Sequence, residues 1–242
     1  MNNIETIPLA NLSFIAIPVV IVFIILLKWK LKTTHTFYAI CRMLIQLLAI
    51  GYFLNTLFAT SSAEISLLIL SIMLLFASWI ALDSVKPQRK QFFFSAVLSL
   101  ALACGLILAI VIITVLEISP WYDPRYLIPL GGMILANAMN SVSLAAERFQ
   151  SEIINNDSVQ ARNIAFNAAL IPTVNMLFAV GLVSLPGMMT GQILSGISPF
   201  VAARYQIMVM CMLFASSGIA AACFLSLIKH RTTQSHKDTK KS

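Results

Sequence analysis

The chain has 242 residues, of which 59% are hydrophobic and 10% charged, with a mean hydropathy of +0.90. Soluble domains run near ~45–50% apolar and ~25% charged, so a water-soluble globule, a disordered chain and a disulfide-stapled secreted domain are all poor readings. The net charge of +7 would suggest a nucleic-acid partner in a soluble protein; in a polytopic membrane chain it asks which side of the bilayer the basic residues occupy.

A helix of about 20 residues crosses ~30 Å of hydrocarbon at 1.5 Å per residue. Apolar segments of that scale run over residues 7–27, 37–58, 65–82, 92–116, 126–146, 168–185 and 205–228. All are expected to be helical, because lipid leaves backbone polar groups without partners and no strand alternation is present. The expected fold is an all-α membrane protein of about seven transmembrane helices, with one membrane domain over 1–228 and a basic tail over 229–242. The first span is not a cleaved leader: its apolar run is too long, no cationic region precedes it, and no small-residue cleavage site follows.

The connections alternate in charge. The first carries Lys28, Lys30, Lys32 and, just inside the second span, Arg42; the third carries Lys86, Arg89 and Lys90. The fifth carries Arg148 and Arg162, and the tail carries Lys229, Arg231, Lys237, Lys240 and Lys241. Only Arg125 and Arg204 of the 16 basic residues fall on the opposite side, beside Glu5, Glu64, Glu117 and Asp123. The positive-inside rule then places the N-terminus outside and the C-terminus in the cytoplasm. The charge is topological, and no nucleic-acid partner is expected.

Aromatic belt positions agree, with Trp29 at the cytoplasmic end of the first span and Trp121 and Tyr122 in an outer loop. Residues 186–199 are broken by Pro186, Gly187, Gly191, Gly196 and Pro199 yet stay apolar over 188–197. They read either as a plain loop or as a short re-entrant or interfacial helix. The tail reads as a disordered basic segment near an anionic leaflet. Cys41, Cys104, Cys211 and Cys223 all lie in apolar stretches with no CxxC pair, so no disulfide framework is expected. Neither GxxxxGK[ST] nor GxGxxG occurs, so any ATP chemistry must come from another chain.

Polar groups inside a bilayer are costly, so their positions mark either packing contacts or a path. In the fifth span Met133, Asn137, Asn140 and Ser141 share one face, and Gly132 and Ala136 beside them allow close helix approach. The two asparagines serve either as interhelical bonds or as pathway groups. Arg42 and Gln46 lie one turn apart near the cytoplasmic end of the second span, where snorkelling also accounts for Arg42. Pro172, Thr173, Asn175 and Met176 mark a kink in the sixth span. In the last span Gln206, Met210, Leu213 and Ser217 share a face, with Tyr205, Met208 and Met212 adjacent. Met188 and Met189 adjoin the glycine-rich break; thioethers ligate soft metals but also fill gaps. No His or Cys stands near them at ligand spacing, so no metal site is assigned. The absence of a prominent intramembrane Asp or Glu argues against proton-coupled carriage, and no catalytic dyad or triad can be assembled.

At residues 137–139, 170–175 and above all 180–194, continued at 204–209, 42–47 and 128–134, the chain resembles the FetB-type permeases of bacterial ABC transporters. That family is implicated in iron export and has plant relatives linked to aluminium tolerance. The resemblance covers nearly the whole chain. It implies a non-enzymatic subunit of the bacterial inner membrane, paired as a homodimer and driven by a separate ATP-binding cassette ATPase, with metal moved outward. No cofactor is implied in this chain; ATP acts through the partner. Arg42, Gln46, Met133, Asn137, Asn140, Asn175, Met188, Met189 and Gln206 are the candidate substrate-path residues. The family pattern has a longer cytoplasmic segment between spans five and six, with an acidic-alanine stretch and a Leu-Gly-Ala-Thr-Pro-like turn. Here residues 147–163 lack that stretch, but Glu147, Arg148 and Glu152 remain as candidate ATPase-coupling residues. A stand-alone channel or secondary carrier, and a non-transporting membrane scaffold, are the alternative readings.

Overall fold

The computed structural model describes residues 8–31, 33–58 and 62–239. Ile7, Glu5, Lys32, Lys240 and Lys241, all used in the topology argument, lie outside the described residues. The membrane region divides into two compact units, Met1–Ala59 and Thr60–Ser242. Among the described residues there is no β-strand, only an isolated bridge between Val180 and Ser184.

The first unit contains α1 (Leu9–Ser13), α2 (Ala16–Lys28) and α3 (Thr33–Phe58). The α2 helix ends because Lys30 adopts a left-handed conformation (φ 57°) while Trp29 and Leu31 donate back to Ile25 and Leu26. Phe23 and Phe37 meet edge-on at 6.2 Å between ring centroids. The described apolar side chains of both long helices are largely exposed within the unit, as lipid-facing helices are.

The second unit comprises α4 (Ala63–Ala81), α5 (Arg89–Ala109), α6 (Pro124–Glu152), α7 (Ser158–Ala179), α8 (Gly187–Leu194) and α9 (Pro199–Thr239). A wide π-helical turn over Ile110–Val115 extends α5. Helices α4, α5, α7 and α9 all pack on or around α6, and α8 packs on α9. Apolar burial drives little helix association in lipid, so small residues must let backbones approach. Here Ala138, Ala145, Ala146, Ala161, Ala165, Ala169, Ala220 and Ala221 are fully buried. Ala161, Ala165 and Ala169 recur every four residues and make one buried stripe of α7.

Among the described residues six helices, against about seven expected, are long and apolar enough to cross a membrane by composition. The expected span 168–185 folds instead as α7, which begins at Ser158 and ends at Ala179. It therefore includes Arg162, Asn163 and Asn167, and these lower its apolar character. At 22 residues it is about 33 Å long, still sufficient to span. Beyond it a tight turn closes with Gly181 at φ 83° and its N–H donating to Ser184 O at 3.0 Å, a conformation that suits glycine.

The other differences lie at the helix ends. The 147–163 connection is mostly helical: α6 continues to Glu152 and α7 starts at Ser158. With 29 residues α6 is about 44 Å long, so its last turns exceed a ~30 Å hydrocarbon core. The segment 186–199 is not a plain loop but contains the eight-residue α8, which stops before Gly196 at φ 91°. The tail, expected to be disordered, continues α9 to Thr239; neither Gly nor Pro occurs after Gly218 to stop it.

The two ends of the second unit differ chemically. At one, Ser66 Oγ donates to Tyr122 O at 3.1 Å, tying the start of α4 to the loop before α6. At the other, Ser84 Oγ donates to Ser143 O at 3.3 Å, and Arg89 binds Asp83 at 3.0 Å and Trp79 O at 2.8 Å. The Arg89 guanidinium also lies 4.3 Å from the Trp79 ring centroid. Lysine has neither the planar fork nor the stacking face, so Arg89→Lys is expected to destabilise by about 1–3 kcal/mol. Thermal melting in detergent measures it, and an unchanged melt would show the turn holds without this cluster.

Candidate functional site

The polar groups of the second unit gather in three places. In the bundle interior, the half-buried Asn137 on α6 donates from Nδ2 to Leu213 O at 3.0 Å and to Ser217 Oγ, both on α9. The buried Thr173 on α7 donates to the same Ser217 Oγ at 3.3 Å. Three helices thus meet at one hydroxyl. Helix α7 runs through Pro172 unbroken, and the Thr173 hydroxyl is committed to the α9 contact. Asn140 and Asn175 are exposed in this unit, while Ser141 is buried. Of the face predicted on the fifth span, Met133 and Asn137 point toward neighbouring helices and Asn140 does not.

The second place is a cavity of about 490 Å³ near the Tyr122 end, bounded by α6, α8 and α9. Arg125 and Met133 come from α6, Met188 and Gln192 from α8, and Tyr205 and Met208 from α9. It exists because the left-handed glycines 181 and 196 fold the 180–199 segment back and α8 packs on α9. The Gln192 Oε1 is buried and without a hydrogen-bond donor in the protein. So is Oε1 of Gln206, which is 5% exposed and adjoins Tyr205. An unsatisfied buried carbonyl costs about 1–3 kcal/mol, so both oxygens are acceptors in wait of a donor. A slightly larger cavity of about 540 Å³ between α4 and α5 is walled almost wholly by Leu, Ile and Ala and offers little for polar recognition.

The third place is the α6–α7 corner. Arg148 pairs with Glu152 at 2.7 Å one turn on. Asn156 Nδ2 donates to Glu152 Oε2 at 2.7 Å, and the Asp157 side chain caps α7 by accepting from Gln160 N at 2.6 Å. Glu147 and Arg148 are exposed and Glu152 half-buried. The five-residue turn between the helices is therefore held at both sides.

The structure brings Met133 and Met188 to one cavity, with Gln206 close by in sequence to its Tyr205 wall. Met189 is half-buried and does not line it. Arg42 is half-buried and Gln46 exposed on α3 of the first unit. Sequence reading gave no special place to Gln192 or to Arg125 as a cavity residue. The available signal was the single amide inside an otherwise apolar, glycine-punctuated segment. Among the described residues no group of three or more His, Cys, Asp or Glu side chains could hold a metal, and all four cysteines are free.

Long apolar helices packed through alanine stripes, with polar groups confined to a core knot, a cavity and a corner, define a multi-pass α-helical membrane protein. The chain belongs to the family described as Uncharacterised protein family (UPF0014), whose model matches residues 9–162 and 156–233. The two matched stretches overlap at residues 156–162, around the start of α7. The chain is 35% identical to the UPF0014 membrane protein slr1647 of Synechocystis sp., over 88% of this chain and 90% of that protein. It is 33% identical to the Probable iron export permease protein FetB of Escherichia coli, over 94% of this chain and 93% of that one. It is 29% identical to the UPF0014 membrane protein STAR2 of Oryza sativa, over 76% of this chain and 69% of the rice protein. No solved structure matches the chain.

Proposed function

We propose that this chain is the membrane-spanning subunit of an ABC-type exporter in the bacterial inner membrane, carrying a metal-containing substrate outward on ATP hydrolysed by a separate ATPase. The similarity to the iron export permease over nearly the full length of both chains carries this reading. The lack of any nucleotide-binding loop in the sequence fits a subunit that takes its energy from a partner. The permease works as a homodimer with two ATPases, its N-terminus outside and its C-terminus in the cytoplasm.

In this reading the α6–α7 corner is where the ATPase docks. Its rigidity matters: a corner fixed by Arg148–Glu152 and the Asp157 cap transmits a push along α6 and α7, whereas a loose loop would absorb it. Helix α6 then links that corner to the Asn137 knot and the cavity.

The test is reconstitution of the chain with a candidate ATP-binding cassette ATPase in liposomes loaded with iron. ATP-dependent efflux that needs both proteins is the expected result. Reversal of exposed Glu147 to lysine, which leaves the Arg148–Glu152 pair in place, is expected to lower ATPase stimulation by about tenfold while the melt stays within a degree or two. Ion-driven flux through the chain alone, indifferent to ATP, would establish a channel or secondary carrier instead.

A further inference from the structure

The cavity between α6, α8 and α9 has a charge pattern that the family resemblance does not account for. Its wall contains one guanidinium, from Arg125, and no carboxylate, imidazole or thiol. Asp123 accepts from the Arg125 backbone N–H at 2.9 Å, and among the described residues no side chain pairs with the guanidinium itself. The rest of the wall is apolar or weakly polar, with three thioethers, the Tyr126 and Tyr205 phenols and the Gln192 amide. Bare iron favours imidazole and carboxylate donors, neither of which is on this wall, and a positive charge there repels it. The same wall suits an anion. Arginine offers a planar fork to a carboxylate, and methionine sulfurs favour the edge of an aromatic ring. The volume of about 490 Å³ lies within the usual range for small-molecule sites.

We propose that this cavity binds a small amphipathic organic anion, with its carboxylate at Arg125 and an aromatic or aliphatic body against Met133, Met188 and Met208. The inference deepens the exporter reading, on which it rests for its link to transport: the cargo entering this site is an organic anion, free or as a metal chelate, rather than a naked cation. The cavity's place at the Tyr122 end makes it the outer, release-side site in that reading.

The test uses the full chain purified in detergent, without any ATPase, so that failure to bind and failure to couple are separate results. Three probes are titrated calorimetrically: salicylate, benzoate and neutral salicylamide. Both carboxylates are expected to bind saturably and salicylamide at least tenfold more weakly, because it offers no charge to the guanidinium. Arg125→Leu is expected to weaken salicylate at least tenfold, with Arg125→Lys intermediate; because Arg125 is exposed, its variants keep the wild-type melt. Binding of ferrous iron alone that is indifferent to Arg125→Leu, salicylate binding unchanged in that variant, or displacement of salicylate by phosphatidylglycerol at equal concentration would each overturn the proposal, the last by assigning the cavity to lipid.

Discussion

Replacing Gly131 with valine is expected to separate α4 from α6 and to lower the melting temperature in detergent by several degrees. A Cβ placed on Gly131 falls against the Cδ2 methyl of Leu70 on α4, and a second Leu70 carbon lies 3.7 Å away. Alanine asks only that Leu70 change rotamer. Valine adds two branches on the same side, and overpacking of this kind costs about 1–3 kcal/mol. At roughly 2–4 °C per kcal/mol for a chain of this size, the shift is measurable by fluorescence-detected melting. Leu70→Ala should restore the Gly131→Ala variant, since it removes the colliding methyl. Gly132→Ala is the control, because its Cβ meets only the flexible end of Met73 at 3.1 Å. Equal loss at both glycines would remove the α4 contact as the cause, since helix propensity alone favours alanine over glycine.

Substitution of Asn137 with leucine is expected to be the most damaging single change among the polar residues of the spans. It removes both donors that tie α6 to α9, at Leu213 O and Ser217 Oγ, and leaves Ser217 with Thr173 alone. Interhelical bonds in membranes average about 0.6 kcal/mol and reach about 1.7; the added burial of an unpaired acceptor brings the expected loss to about 1–3 kcal/mol. Asn140→Leu is expected to change stability by less than about 0.5 kcal/mol, because its side chain is exposed in this unit. A double-mutant cycle of Asn137→Leu with Ser217→Ala isolates the pair, and a coupling near zero would remove the knot from the account. Flux measured on the same variants separates the two roles of Asn137. Activity that falls in proportion to folded protein marks a structural bond, and activity lost from a fully folded Asn137 variant marks a pathway group.

Much of the architecture was legible before any coordinates, and the reason is the solvent. A bilayer admits few solutions, so runs of apolar residues near 20 long read directly as helices, and the six that the structure contains all coincide with predicted spans. The boundary of α7 was not legible: Arg162 and Asn163 looked like connection residues because they are polar, yet a capped helix start at Asp157 carries them into the bundle. Nor was Gly131 singled out over Gly132, because the sequence shows that a helix face is small but not which neighbour lies against it.

The sequence by itself determined the class of protein and its helical content, since these depend on each residue's exchange with water or lipid. It also carried the motifs that place the chain in its family. Only the tertiary structure decided which polar residues meet. Met133, Met188 and Met208 are far apart in the chain, and a shared cavity forms only where two left-handed glycines turn α8 back onto α9. The Arg125 charge counted simply as an outer-side exception in the sequence, whereas in the folded chain it is the single charge on a cavity wall. Solvation energies are local and additive enough to read along a chain; proximity across helices is neither.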